Sequence, residues 1–321
     1  MPLAAKRGSM QETRRRVLDA LADGPISGPA VAETLGVSRA AVWKHVEALR
    51  EAGFEVESRE GGYVLTSVPE FGGAAVEYGL EAPFDVEYHD SVDSTNERAR
   101  QLTDDEAEDV VVLADEQTAG SGRLDREWSS PSGGIWLSAV CRPGLPPAQV
   151  PVYTLAAAVA TAEAVRAAGV DAGIKWPNDV LVPTGEGEER KLAGILTEME
   201  GEADRVSWVV VGVGLNANVD AGAVPDTATT MREQVGDVDR AEVTRGLLER
   251  FDELRADPES VLPAWRDLAS TLGRRVRVDT PDGEIVGEAV DVRFPGTLVV
   301  DTGDERVEVT AGDCEHLRPA G

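Results

Sequence analysis

Cysteine, histidine and positive charge are all scarce in this chain. Its 321 residues include two cysteines and three histidines. Cys141 and Cys314 stand far apart, and His45, His89 and His316 make no ligand spacing with them. Neither a disulfide pair nor a structural metal site is expected from such spacing. No apolar run approaches the roughly 20 residues needed to span a bilayer, and no hydrophobic segment follows the first charges. A cytoplasmic protein with no membrane segment is therefore the expectation. Lysine and arginine total 31 against 59 aspartates and glutamates, giving a net charge of -28 and a pI near 4.4. A bulk field of that sign disfavours polyanions. The deficit is uneven, because residues 1–66 hold nine basic and nine acidic side chains, leaving 22 against 50 for the rest. The simplest expectation from a distributed acidic surface is a halophilic protein, in which excess net charge maintains solubility in a salty cytoplasm. The length and the 42% hydrophobic content suit two or three domains with ample core.

The charge-neutral N-terminal stretch carries three helical patterns and a hairpin. A first helix is predicted over Gln11–Ala22, stopped at Gly24-Pro25. A second runs from Pro29 to Leu35, ended by Gly36, and Ser38 caps a third that reaches Ala52. Val42, Val46 and Leu49 fall at i, i+4, i+7 as the buried stripe, which leaves Arg39, Ala40, Trp43 and Lys44 outward. Phe54–Ser58 and Tyr63–Thr66 alternate around Gly61-Gly62 as a hairpin wing with Arg59 near its tip. The order resembles a winged helix-turn-helix, with Val37–Leu49 as recognition element. Ser38, Arg39, Ala40, Trp43, Lys44 and Arg59 are its candidate DNA-binding residues. A helical hairpin for protein contacts is the competing reading, and high salt would weaken any phosphate-driven affinity.

The central stretch, about residues 84 to 268, mixes strands with helices. Ala119–Trp128 reads A-G-S-G-R-L-D-R-E-W between two strand-like runs, Val110–Asp115 and Gly134–Cys141. Gly120 and Gly122 are expected to take conformations closed to other residues, while Arg123 and Arg126 supply planar forks suited to carboxylate or phosphate. In D-S-V-D-S-T-N-E-R, Ser94 and Glu97 are spaced as a capping box. In Ile174–Val182, Pro177 forces Trp176 extended and presents Asn178 and Asp179 at a strand end, beside Lys175. Beyond a glycine- and glutamate-rich hairpin tip, Arg190–Met199 alternates as a strand, with Lys191 at its entrance and Gly194 where something approaches the backbone closely. Val206–Asn218 is a buried strand carrying Gly212 and Gly214. It lacks a third glycine and a following helix, so a dinucleotide fingerprint is excluded, and no Walker A lysine-serine pair exists anywhere.

A-G-S-G-R, K-W-P-N-D and R-K-L-A-G-I-L, supported by D-S-T-N and G-V-G-L-N, follow a winged helix and precede a β-rich tail. In that order the set resembles the biotin protein ligases that double as repressors of the biotin operon. The resemblance spans nearly the whole chain. It implies an α+β multidomain fold: a winged helix over 1–68, a class II synthetase-like ligase domain with a central mixed sheet over 69–270, and an SH3-like barrel over 271–321. The tail's alternating segments, Arg275–Asp279, Glu284–Val292, Gly296–Asp301 and Glu305–Thr310, suit such a barrel.

The family's reaction joins biotin to ATP as biotinyl-AMP and then passes biotin to a lysine of a biotin carboxyl carrier protein. By resemblance, Ser94, Thr95, Asn96, Gln117, Ser121, Gly122, Arg123, Lys191 and Gly194 are the candidate biotin residues, and Arg126, Trp128, Asn178 and Asn216 the candidate ATP residues. Arg123 and Lys191 would stabilise charge, and Asp179 would serve the incoming lysine as acceptor or base, supported by Lys175. Magnesium is expected with ATP, its ligands unassigned, and so is a homodimer on operator DNA when the adenylate is bound. The family loop commonly reads G-R-G-R-R-G-R; Ser121, Leu124 and Asp125 here remove two positive charges and add a negative one. Two rival readings are a biotin-sensing transcription factor without ligase activity and a lipoate or octanoate ligase.

Overall fold

The computed structural model describes residues 4–185 and 188–317, so the tip of the expected hairpin at 186–187 lies outside the described residues. The chain divides into two compact units, Met1–Leu80 and Glu81–Gly321.

The first unit contains α1 (Ala4–Ala22), α2 (Gly28–Leu35), α3 (Arg39–Glu51), the hairpin β1 (Glu55–Arg59) and β2 (Gly62–Ser67), and a short α4 (Gly73–Glu77). The helix starts are set by side-chain caps: Ser27 accepts from Ala30 N–H and Ser38 from Ala41 N–H. Gly36, at φ 68°, closes α2 in the left-handed region that a glycine enters without penalty. Val42, Val46 and Leu49 of α3 are buried with Val17, Leu21, Val31 and Phe54, as the 3.6-residue period requires. Helix α1 begins earlier than the predicted Gln11, because its first turns carry no apolar stripe from which a start could be read.

The second unit runs β3 (Asp85–Val92), α5 (Thr95–Thr103), β4 (Val110–Gln117), β5 (Ile135–Cys141), α6 (Pro151–Ala167), β6 (Gly173–Lys175), β7 (Asp179–Gly185), β8 (Glu188–Gly201) and β9 (Val206–Leu215). It continues with α7 (Met231–Val235), α8 (Arg240–Ala256) and α9 (Pro258–Leu268). Strands β3–β9 form one mixed sheet in the order β3-β4-β5-β9-β8-β7-β6, in which β3 and β4 pair in parallel, joined through α5, and the other neighbours pair antiparallel. On one face Ala99 of α5 packs on Val112, Val140 and Val210. On the other, Thr154 of α6 donates to Thr197 (2.8 Å). The segment Pro147–Ala167 is long and apolar enough to cross a membrane, which corrects the expectation that no run reaches that length. It is mostly buried, with α6 between the sheet and helices α8 and α9.

Strands β10 (Arg275–Thr280), β11 (Gly283–Arg293), β12 (Thr297–Asp301), β13 (Arg306–Val309) and β14 (Asp313–His316) form an antiparallel sheet in the order β13-β12-β11-β10-β14. Four of them match the alternating segments of the tail; β14 is additional.

One irregularity positions a functional side chain. Val180 pairs with Ala193 but Leu181 pairs with Lys191, so β8 holds one extra residue there, Leu192. Strict alternation would put Lys191 on the face of Ala193 and Ile195, which is core. The bulge instead turns it toward Gly194, where its Nζ and Cε lie about as close as a Cβ at that position would allow.

Candidate active site

Ser94, Thr95, Asn96, Gln117, Ser121, Gly122, Arg123, Arg126, Trp128, Asn178, Asp179, Lys191, Gly194 and Asn216 all line one cavity of about 250 Å³. Lys175 is outside the lining and acts on it through Asp179. The floor is β8 and β9. Gly194 pairs with Gly214 across these strands, and a Cβ at Gly214 would stand 2.6 Å from Trp128 Nε1. At Gly212 it would stand 2.1 Å from Asn96 Oδ1. The G-x-G of β9 is thus a steric requirement for seating an indole and an amide on the sheet.

At one end, α5 and β4 supply a polar cluster. Ser94 caps α5 by accepting from Glu97 N–H (3.4 Å), so its predicted capping role is present. Thr95 N–H donates to Gln117 Oε1 (2.8 Å), and Gln117 Nε2 donates to Ser130 Oγ (2.9 Å). Beneath them the fully buried Ser138 hydroxyl donates to Asn96 Oδ1 (2.6 Å), while Asn96 Nδ2 donates to Glu198 Oε2 (2.8 Å). Ser130, Ser138 and Glu198 were not among the sequence candidates. Ser138 and Glu198 lie on strands whose register brings them under α5, and Ser130 is held by an isolated bridge to Gln117, so no local motif marks them.

At the other end sits a charged cluster. Asp179 Oδ1 lies 2.6 Å from Lys191 Nζ and Oδ2 lies 3.2 Å from Lys175 Nζ. Burial pushes the Asp179 carboxyl up, but the two ammonium groups outweigh it and hold it below the usual carboxylate range. Lys191 Nζ also stands 4.9 Å from the centre of the Trp128 ring. Among the described residues the buried Trp128 indole N–H has no hydrogen-bond partner.

The glycine loop closes the cavity. Gly122 has φ -108°, and Gly120 is likewise outside the positive-φ region, which corrects the expectation that both glycines take conformations closed to other residues. What Gly120 provides is space: a Cβ there would meet Ser130 Oγ at 2.5 Å and Trp128 O at 2.6 Å. The left-handed residue of the loop is Leu124, at φ 58°. Arg123 donates to Asn178 Oδ1 (2.9 Å) and to Gly312 O (2.8 Å), both neutral acceptors. Arg126 instead pairs with Asp313 at 2.7 Å. Asn178 Nδ2 donates to Ile195 O (2.8 Å) and Asn216 Nδ2 to Thr229 O (3.0 Å); each amide is buried with its orientation set by that bond. Gly312 and Asp313 were missed because the docking of the tail onto the loop is a long-range event.

Both cysteines are buried, and burial pushes each thiol up to about 12, so neither is a nucleophile. Among the described residues no group of three or more His, Cys, Asp or Glu side chains converges as a metal site.

In the first unit, Ser38, Arg39, Ala40, Trp43 and Lys44 are exposed along the start of α3, with Trp43 56% exposed. Ser38 is also the α3 cap. Arg59 is exposed at the end of β1 but donates to Glu57 (2.8 Å), which offsets its charge locally.

The pattern of the Biotin/lipoate A/B protein ligase family matches residues 88–216, that of the HTH domain residues 13–64, and that of the biotin protein ligase C terminal domain residues 271–317. The chain is 37% identical over 310 residues to the bifunctional ligase/repressor BirA of Bacillus subtilis (strain 168), covering 90% of this chain and 93% of that protein. To the protein of the same name from Escherichia coli (strain K12) it is 31% identical over 300 residues, covering 89% and 91%. Among solved structures, the biotin protein ligase from Aquifex aeolicus in complex with biotin and ATP is similar with a TM-score of 0.62 and 27% identity. That similarity covers 72% of this chain and 99% of the other.

Proposed function

The chain belongs to the bifunctional ligase/repressor family of biotin protein ligases, and from that premise we propose that it forms biotinyl-AMP, biotinylates a biotin carboxyl carrier protein and represses transcription through its winged helix. In the first step a biotin carboxylate oxygen attacks the α-phosphorus of ATP and pyrophosphate leaves. In the second the carrier's lysine amine attacks the acyl carbon, an amide forms, AMP leaves and the amine loses a proton.

The observation that carries this reading is the convergence, in one cavity, of an amide-and-hydroxyl end and a cationic end. Thr95, Asn96 and Gln117 present paired donors and acceptors suited to the ureido ring of biotin, with Ser94, Ser121, Gly122 and Gly194 shaping the approach. Arg123 and Lys191 bring positive charge to the point where two anions meet, a preorganised contribution of several kcal/mol, about the size of removing one oxyanion donor. Trp128 offers a face to adenine, with Asn178, Asn216 and Arg126 around the nucleotide. Asp179 acts as acceptor rather than base: held ionised by two lysines, it has little proton affinity at neutral pH, and it orients Lys191.

Magnesium would arrive on the ATP phosphates, held largely by phosphate and water oxygens. Of the cavity carboxylates Asp179, Asp313 and Glu127, the first two already face lysine or arginine partners; no residue is assigned as its ligand and no step depends on one.

The division of labour follows residues 1–68 for DNA, 69–270 for ligation and 271–321 as an SH3-like barrel that backs the loop. Adenylate-dependent homodimerisation would present two copies of α3 to a palindromic operator. The acidic composition supports a halophilic, cytoplasmic setting. Incubation with ATP, magnesium, labelled biotin and a carrier domain at high salt tests the ligase half. Label is expected on the carrier lysine; a carrier that stays unlabelled would reject it.

A further inference from the structure

Thr271 is fully buried, and its hydroxyl accepts the Trp176 N–H at 2.9 Å while lying 2.9 Å from His316 Nε2. His316 Nδ1 lies 2.8 Å from Glu189 Oε2. Arg274 grips the same carboxylate with two nitrogens, at 3.0 and 3.1 Å, and its Nη1 stands 3.4 Å from His316 Nδ1. Among the described residues Glu189 and Arg274 are the charged groups in contact with the imidazole. Burial pushes the Glu189 carboxyl up, but His316 and Arg274 outweigh it and keep it below the usual range.

In the neutral tautomer whose Nδ1 donates to Glu189, Nε2 is an acceptor. In that tautomer the Thr271 hydroxyl donates to Nε2 and accepts from the Trp176 N–H. We propose that Glu189, His316 and Thr271 form a positioning relay that fixes the hairpin carrying Lys175, Asn178 and Asp179, an inference that rests on the ligase reading. The relay draws together the start of β8, the last strand β14 and the segment between α9 and β10. It ends on the backbone of Trp176, whose indole is separately fixed by donation to Gly296 O (2.8 Å). A carboxylate–imidazole–hydroxyl series is also the arrangement of hydrolytic triads. Here the hydroxyl is sealed between an amide and a ring, out of reach of substrate, so it positions rather than attacks.

The relay holds Asp179 in register with Lys191 and leaves the Thr95–Gln117 end of the cavity untouched. Its loss should lower kcat more than it changes KM for biotin. Thr271→Val removes the hydroxyl at constant shape, and the nearby Ser270 N–H to Ile174 O bond (2.9 Å) keeps the segment joined. Thr271→Ser keeps the hydroxyl. His316→Leu and His316→Gln form a second pair, since glutamine can both donate and accept.

Two readouts are taken on the full chain: hydrogen exchange of residues 173–180 by mass spectrometry, and kcat and KM for biotin. Thr271→Val and His316→Leu are expected to raise exchange and to lower kcat at least tenfold each, with KM within twofold. Thr271→Ser and His316→Gln should stay close to the parent protein in both. Unchanged exchange and kcat in Thr271→Val would overturn the relay, as would equal damage from Thr271→Ser. A parent protein that forms no adenylate, while Thr271→Val still raises hairpin exchange, would overturn the ligase reading and retain the hold on the hairpin.

Discussion

Lys191 and Asp179 meet at 2.6 Å across the β7–β8 pairing because a bulge at Leu192 turns the lysine off the core face. The same carboxylate takes Lys175 on its other oxygen, so removing it leaves two ammonium groups close together in a half-buried site. Asp179→Asn is expected to destabilise the second unit by about 2 kcal/mol, the range for hydrogen bonds to charged groups. Chemical denaturation at pH 7 measures this. Because the folded Asp179 carboxyl titrates below its unfolded value, its contribution is complete above the unfolded value of about 3.9 and is lost as pH falls through the folded one. The parent protein and Asp179→Asn should therefore converge in stability as pH falls below the unfolded value; a constant gap would contradict the assignment.

Arg123 and Arg126 look equivalent in the loop sequence but differ in partners. Arg123 is bound to an amide oxygen and a backbone carbonyl, whereas Arg126 is two-thirds exposed and neutralised by Asp313. Arg123→Ala should slow adenylate formation by well over tenfold, more than about 1.4 kcal/mol in the barrier. Arg126→Ala should cost less, since exposed pairs contribute under about 1 kcal/mol. Rapid-quench single-turnover kinetics separates the two.

Gly212→Ala would drive a methyl group into the Asn96 amide. The expected result is weaker biotin binding together with a loss of about 1–3 kcal/mol in stability, the usual cost of overpacking. Calorimetric titration with biotin and a thermal melt check it, with Gly222→Ala, where a Cβ meets open space, as the neutral comparison.

On the DNA side, Trp43→Ala should weaken operator binding without altering its salt dependence, because an indole contributes base or shape contacts. Lys44→Ala should reduce the log–log salt slope by about 1. Arg59→Ala should do little, since Glu57 already offsets that charge. Fluorescence anisotropy across a salt series distinguishes the three.

The parts of this site legible in sequence were those encoded locally. The α3 stripe, the Ser38 cap and the Lys175–Asp179 cluster each follow from spacing within a dozen residues. Register hid the rest: Ser138 and Glu198 reach Asn96 only because β5, β9 and β8 align them. The segment Pro147–Ala167 does not read as a membrane-length apolar run in sequence because alanine, not leucine, carries most of its helix. The loop glycines misled for a related reason, since composition cannot distinguish a glycine needed for its φ from one needed for its missing Cβ, and here the left-handed position went to Leu124.

The central claim is tested most directly by omitting the carrier. Protein mixed with biotin, ATP and magnesium at high salt, then quenched and resolved by mass spectrometry, should yield about one biotinyl-AMP per active chain, with matching pyrophosphate and a sharply slower rate in Lys191→Ala. Absence of biotinyl-AMP from folded, biotin-bound protein would contradict the account.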